Sequence, residues 1–333
     1  MPSRLLEAYA KWRELYIAGS SLVDKRVEAL RGDYDKIYAV GVGGSGSAGA
    51  FLSALARWGE VEALIISHRS LGLPGPVDER TLVLALSYSG RTLETLHSVE
   101  RALRLGARVI GVTSGGPLLE LLEKRGLPVV RLPGGLLPRA SLPLMLSASL
   151  RALEAVGVRV SPELSGADEA LADVVSAEEE SRELAEVIGS STPVLLSCDP
   201  YEVVATRLRE ELAENSKRLS LLETLPNAGH NAVVAWARAS KRDYKFIGIV
   251  GHRATECEAL VESFAEAVGS EPALWRLRGR SLLEEMLRGA WIAGLTSIKL
   301  AEAAGVDPVE TPEINAYRRA LDQREGLRKR RTA

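Results

Sequence analysis

Ser87, Ser89 and Thr92 bring three hydroxyls into one short stretch, Ser87-Tyr88-Ser89-Gly90-Arg91-Thr92. An apolar run at 81–86 precedes them and a helical pattern at 92–105 follows, so the hydroxyls are expected where a strand ends and a helix begins. Open α/β sheets bind ligands at that edge. A helix start adds backbone N–H groups and partial positive charge. Capping would employ one hydroxyl, not three; three suit a bound phosphate. The preceding loop, Gly41-Val42-Gly43-Gly44-Ser45-Gly46-Ser47, has the same strand-to-helix setting. Glycines such as Gly44 let N–H groups approach a small anion, and Ser45 adds a donor. The loop also contains G-x-G-x-x-G, a dinucleotide signature when an acidic residue follows the next strand. Here that position reads Ile66-Ser67-His68-Arg69. An Arg would suit a 2′-phosphate, so an NADP site is a weaker alternative to a phosphate loop.

Strand–GGSGSA–helix followed by strand–SYSGRT–helix resembles the sugar isomerase (SIS) domain. The resemblance implies that Ser87, Ser89, Thr92 and Ser45 hold the phosphate of a sugar phosphate. Enzymes and sugar sensors both use such domains, so catalysis must rest on other residues.

Aldose–ketose isomerisation needs a base near C1 and C2, a group that opens the ring and a cation for the enediolate. A helix expected at 201–217 ends with Glu210, Glu211 and Glu214. Glu210 and Glu214 share a face. Glu211 is the easiest to set aside, and composition alone favours a solvated face for all three. His230, one of four histidines, stands in a loop before a helix that Asn231 would cap. Arg139 follows the fifth apolar run and precedes a long apolar helix at 141–156. A fixed guanidinium there would steady a developing enediolate.

In order along nearly the whole chain, P-R-A-S, E-N-S-K, L-P-x-x-x-H-N-x-x-x-x-W and T-P-E-I-x-x-Y-R resemble the archaeal bifunctional phosphoglucose/phosphomannose isomerases. The resemblance implies Glu214 as the base, His230 in ring opening from a partner subunit, and Arg139 on the enediolate. It places Thr311 beside the sugar. Arg318 stands where the family has a Lys, a non-equivalent exchange at a close-packed site. The reaction so implied is metal-independent interconversion of glucose 6-phosphate, and mannose 6-phosphate, with fructose 6-phosphate in a homodimer, with no cofactor.

The elements around these residues read as βαβ units. Short Val/Ile/Leu-rich runs at 36–42, 62–67, 81–86, 108–112 and 128–132 alternate with helical patterns at 47–58, 92–105 and 118–125. A charged helical region precedes them to about residue 31. A linker is expected at 157–166 and a helix at 167–188. A second set follows, with strands at 193–197, 244–250 and 272–277 and helices at 201–217, 231–240, 255–268 and 282–304. The fold class is α/β: two SIS-like domains, each a mostly parallel, doubly wound sheet, spanning 1–157 and 158–333. The charged tail from 318 to 333 is expected to fray.

With 333 residues the chain has room for two such domains. Its formal net charge of −2 gives no general attraction to nucleic acid or anionic lipid. No apolar run is long enough to span a membrane, and the N-terminal stretch is amphipathic and charged, so a cytoplasmic location is expected. No histidine–carboxylate cluster has metal spacing. Cys198 and Cys257 are expected to be two separate buried thiols. A single Gln and an excess of Arg over Lys hint at a thermophilic source. A sensor would need a DNA-binding module, for which the first 35 residues are too short. An amino-sugar synthase would need an amidotransferase domain, and nothing in the chain resembles one.

Overall fold

The computed structural model describes residues 4–161 and 166–331. The helices are α1 (Arg4–Ala10), α2 (Trp12–Ser20), α3 (Lys25–Glu28), α4 (Gly43–Arg57), α5 (Leu93–Arg104), α6 (Gly116–Lys124), α7 (Leu142–Ala155), α8 (Val174–Ile188), α9 (Glu202–Glu214), α10 (Ala232–Trp236), α11 (Glu256–Val268), α12 (Leu282–Ala304) and α13 (Pro312–Arg331). The strands are β1 (Lys36–Val40), β2 (Ile65–His68), β3 (Thr81–Leu86), β4 (Arg108–Thr113), β5 (Val129–Arg131), β6 (Thr192–Cys198), β7 (Leu221–Leu225), β8 (Tyr244–Val250) and β9 (Ala273–Arg276).

The strands form two parallel sheets, ordered β2-β1-β3-β4-β5 and β7-β6-β8-β9. Helices cover both faces of the first, so β3 is buried along its whole length and reads as an unbroken apolar run rather than an alternating one. Its register sets Leu82 beside Ile37 and Leu84 beside Ile110. In the second sheet Val194 stands beside Phe246. Each sheet reverses its strand order once, between β1 and β3 and between β6 and β8, and these are the places where an α/β sheet opens a crevice.

Helix α12 is the shared support. It is buried on nearly every side, as its almost continuous apolar sequence requires. It starts where the Ser281 side chain accepts the Glu284 N–H and stops at left-handed Gly305. Gly294 lets the Tyr9 ring of α1 lie directly on its backbone; a Cβ there would fall 2.1 Å from Tyr9 Cε1. The leading helix therefore packs on the element that also supports α8 and α9.

Four expectations need correction. Cys198, at the end of β6, and Cys257, in α11, form a disulfide. Their sequence separation of 59 hides the pairing in the sequence, because β6 and α11 meet only once the second sheet is built. Residues 223–225, expected as the start of the loop that carries His230, belong to the edge strand β7; its brevity and the Pro that follows mask it. The leading helical region is broken into α1, α2 and α3. The charged tail is helical through Arg331, with Pro312 at the start and strong helix formers after it; residues 332–333 lie outside the described ones. The expected linker at 157–166 also lies partly outside them, at 162–165.

Candidate active site

The crevice of the first sheet opens between the ends of β1 and β3, and each strand feeds a helix there. Tyr88 N–H donates to Ser45 Oγ at 3.0 Å, which ties the two loops together. Ser87 Oγ and Thr92 Oγ1 are 3.0 Å apart. Thr92 occupies the N-cap position of α5, yet its side chain caps no helix N–H, so capping does not account for it. Ser89 Oγ accepts a long bond from Arg91 N–H at 3.4 Å. The four expected phosphate hydroxyls thus gather at two helix starts. Gly44 has a different duty. A Cβ there would meet Arg139 Cα at 2.8 Å and Pro138 O at 3.0 Å, so glycine is what lets the first loop reach the turn that carries Arg139.

Helix α9 brings its C-terminal end to the same place. Gly44, Arg139, Arg207, Glu210, Glu211 and Glu214 close around one narrow cleft that has no room for a water molecule. Arg139 is buried. Its Nη2 donates to Pro308 O at 2.7 Å and Val309 O at 2.9 Å, and its Nη1 points at Glu214 Oε2, 3.4 Å away. Burial pushes the Glu214 carboxyl above its ordinary value; the Arg139 guanidinium opposes this and Glu211 adds to it. A partly buried carboxylate beside one fixed cation is suited to take a proton from carbon and return it.

Glu210 and Glu211 are otherwise engaged. Arg69 Nη2 donates to Glu210 Oε1 at 2.6 Å and to Gly43 O at 3.0 Å, and Ser47 Oγ donates to Glu210 Oε2 at 3.2 Å. The arginine that would have suited a nucleotide 2′-phosphate is turned instead toward the second half of the chain. Glu211 is fully buried and bonds Arg207, Tyr9 Oη and Asn215. Arg207 in turn bonds the Arg139 carbonyl. This network beneath the cleft was not foreseen. Its signal is the i, i+4 spacing of Arg207 and Glu211 alongside buried Leu208 and Leu212.

Not every candidate converges on the cleft. His230 ends a short 3-10 turn, Asn227–His230, after β7; it is exposed and makes no side-chain hydrogen bond among the described residues. Arg318 is exposed on α13 and Thr311 is half-buried just before that helix. Among the described residues no group of three or more His, Cys, Asp or Glu could hold a metal ion, and no helix is long and apolar enough to cross a membrane.

The second sheet's crevice is filled. The Tyr201 ring occupies it, and a Cβ on Gly251 would fall 2.5 Å from that ring. Tyr201 Oη donates to Glu285 Oε2 at 2.5 Å and accepts Arg253 N–H at 2.9 Å.

Two parallel sheets, with hydroxyl-bearing loops at the strand-order reversal of the first, define an SIS-type protein. Residues 33–118 match the SIS domain family and residues 177–321 the Bacterial phospho-glucose isomerase C-terminal SIS domain. The fold is similar to the C-terminal domain of glucosamine-fructose-6-phosphate aminotransferase from Francisella tularensis, with a TM-score of 0.73, 14% identity, and coverage of 93% of this chain and 98% of that one. In sequence, the bifunctional phosphoglucose/phosphomannose isomerase of Aeropyrum pernix is 35% identical over 95% of this chain and 96% of its own length. The chain belongs to the bifunctional phosphoglucose/phosphomannose isomerase family. A D-glucosamine-6-phosphate 4-epimerase from Sulfolobus acidocaldarius is 30% identical over 91% of this chain and 93% of its own length.

Proposed function

We propose that the protein interconverts glucose 6-phosphate and mannose 6-phosphate with fructose 6-phosphate. The observation that carries this is the Glu214–Arg139 pair, 3.4 Å apart, in a cleft that also touches the first phosphate loop at Gly44. Ser45, Ser87, Ser89 and Thr92 hold the phosphate and leave C1 and C2 of the open chain toward α9. Glu214 removes the C2 proton of the aldose. The electron pair moves into a cis-enediolate, whose charge Arg139 stabilises; the proton returns to C1 while the O2 proton passes to O1, giving the ketose. Glucose and mannose differ at C2, so both give the same enediolate and one base serves both.

The ring must open first. We assign that step to His230 of a second copy, across the dimer of a cytoplasmic enzyme. Leu219, Leu221 and Val234, all exposed, give the segments around His230 an apolar surface suited to such a contact. Thr311 and Arg318 then flank the sugar. In this reading the domains divide at 157/158, the second carrying both Glu214 and His230, and the source is thermophilic.

The test is turnover of fructose 6-phosphate, coupled to glucose-6-phosphate dehydrogenase and NADP, with and without EDTA, followed by mannose 6-phosphate. Turnover of both, unchanged by EDTA, is the expected result. Failure with both, together with consumption of glucosamine 6-phosphate, would transfer the site to epimerase chemistry like that named for the Sulfolobus relative.

A further inference from the structure

Lys217 is the one non-glycine residue with a positive φ, 57°, among the described residues. That region of backbone space is unfavourable for a side chain with a Cβ and natural for glycine. Two helices of the second half use glycine in this way: α11 stops at Gly269 and α12 at Gly305, both left-handed. The chain leaving α9 also takes a positive φ, but at a lysine, three residues past Glu214. Strain held in place by its surroundings marks positions where the side chain is needed.

The Lys217 ammonium donates to Glu214 O at 2.7 Å and to Asp307 O at 2.8 Å. The next two carbonyls of that second segment, Pro308 O and Val309 O, receive Arg139 Nη2. The segment is braced internally by Val309 N–H on Asp307 Oδ1 at 2.7 Å. A closed circuit results: Glu214 to Lys217, Lys217 to the 307–309 segment, that segment to Arg139, and Arg139 back to Glu214. Capping the end of α9 would satisfy the Glu214 carbonyl alone. It would not require a reach to Asp307.

We propose that Lys217 is a positioning residue for proton transfer, locking the 307–309 segment to the end of α9 and so fixing the distance between Arg139 and Glu214. The proposal rests on the isomerase reading above. A misplacement of about 1 Å between reacting groups costs on the order of 100-fold in rate, so the effect belongs in kcat. The phosphate loops lie on other elements, so KM should change little.

The experiment compares Lys217→Gly, Lys217→Asn and Lys217→Arg with the wild type. Glycine and asparagine keep the left-handed backbone and remove the cation. They should melt at or above the wild-type temperature, lose at least about 10-fold in kcat and keep KM for fructose 6-phosphate. Arginine should recover much of the loss. Hydrogen exchange of the 306–314 peptide, which needs no turnover, should speed up in the glycine and asparagine variants alone. If kcat of Lys217→Gly stays within about twofold of wild type, or exchange at 306–314 is unchanged, the proposal is overturned. If the wild type turns over no hexose 6-phosphate while exchange still responds, the isomerase reading fails and the lock stands.

Discussion

At the residue scale, the proposed mechanism gives Glu214 and Arg139 different tasks, and substitution should separate them. Glu214→Gln keeps shape and removes the base; kcat should fall by about 10³-fold or more with KM nearly unchanged, as steady-state kinetics will report. Arg139→Met should cost about 10²-fold in kcat and also move the pH profile. Glu214 must be ionised to accept a proton, so activity is lost as pH falls through its pKa. Burial has already raised that pKa and Arg139 opposes the rise. Without the guanidinium the pKa climbs further, and the acid limb of kcat in Arg139→Met should lie at higher pH than in the wild type. A limb that stays in place would detach the profile from Glu214. In the same proposal the hydroxyls of the two loops act on binding instead. Ser87→Ala and Thr92→Val each remove a donor of about 1–3 kcal/mol, so KM should rise about 10-fold or more, with the protection that inorganic phosphate gives against heat reduced in step. The hydroxyls stood out in the sequence because three cluster in one short loop, whereas Glu214 and Arg139 were singled out chiefly through the family resemblance. Sequence reading set Glu211 aside from the chemistry but took its face as solvated, whereas burial with Arg207 and Tyr9 makes it structural.

At the element scale, the site is a joint between α9 and the turns that end β1, β2 and β5. Arg69, just past β2, clasps Glu210 on α9. Both side chains are about a quarter exposed, at 27% and 24%, so the clasp should contribute only a few tenths to about 1 kcal/mol. A double-mutant cycle of Arg69→Ala and Glu210→Gln on denaturation midpoints should return a coupling of that size. Strict additivity would mean the clasp is idle in solution. The parallel strands and their crossover helices were legible because buried parallel strands leave continuous apolar runs, such as 81–86 in β3. Strand β7 was not. It is an edge strand, half-exposed, and its register with β6, which pairs Leu195 with Leu222, is set by a neighbour distant in sequence. The clasp and the tie of Tyr9 to the Arg207–Glu211 pair were illegible for the same reason: each joins residues that local pattern cannot pair.

At the scale of the whole molecule, the Cys198–Cys257 bridge closes a loop of 59 residues inside the second sheet's unit. A loop of that size implies about 4 kcal/mol of stabilisation in the chain-entropy account. Reductant should lower the denaturation midpoint accordingly, while Cys198→Ala/Cys257→Ala should show no response to reductant. The dimer assigned above carries a sharper expectation. Mixing inactive His230→Ala with inactive Glu214→Gln should restore about a quarter of wild-type turnover, since random exchange leaves one intact site in each mixed dimer. No recovery after verified subunit exchange would return His230 to its own chain's site. The buried contacts of Tyr9 also order events in time. Its hydroxyl meets Glu211 across 202 residues, and its carbonyl meets Trp291 across 282. On a ribosome the first sheet is complete long before those partners emerge, and α1 must wait without the surface it will cover. The cleft can assemble only when α12 has left the exit tunnel, so a chain interrupted before that helix would carry both hydroxyl-bearing loops and no working enzyme.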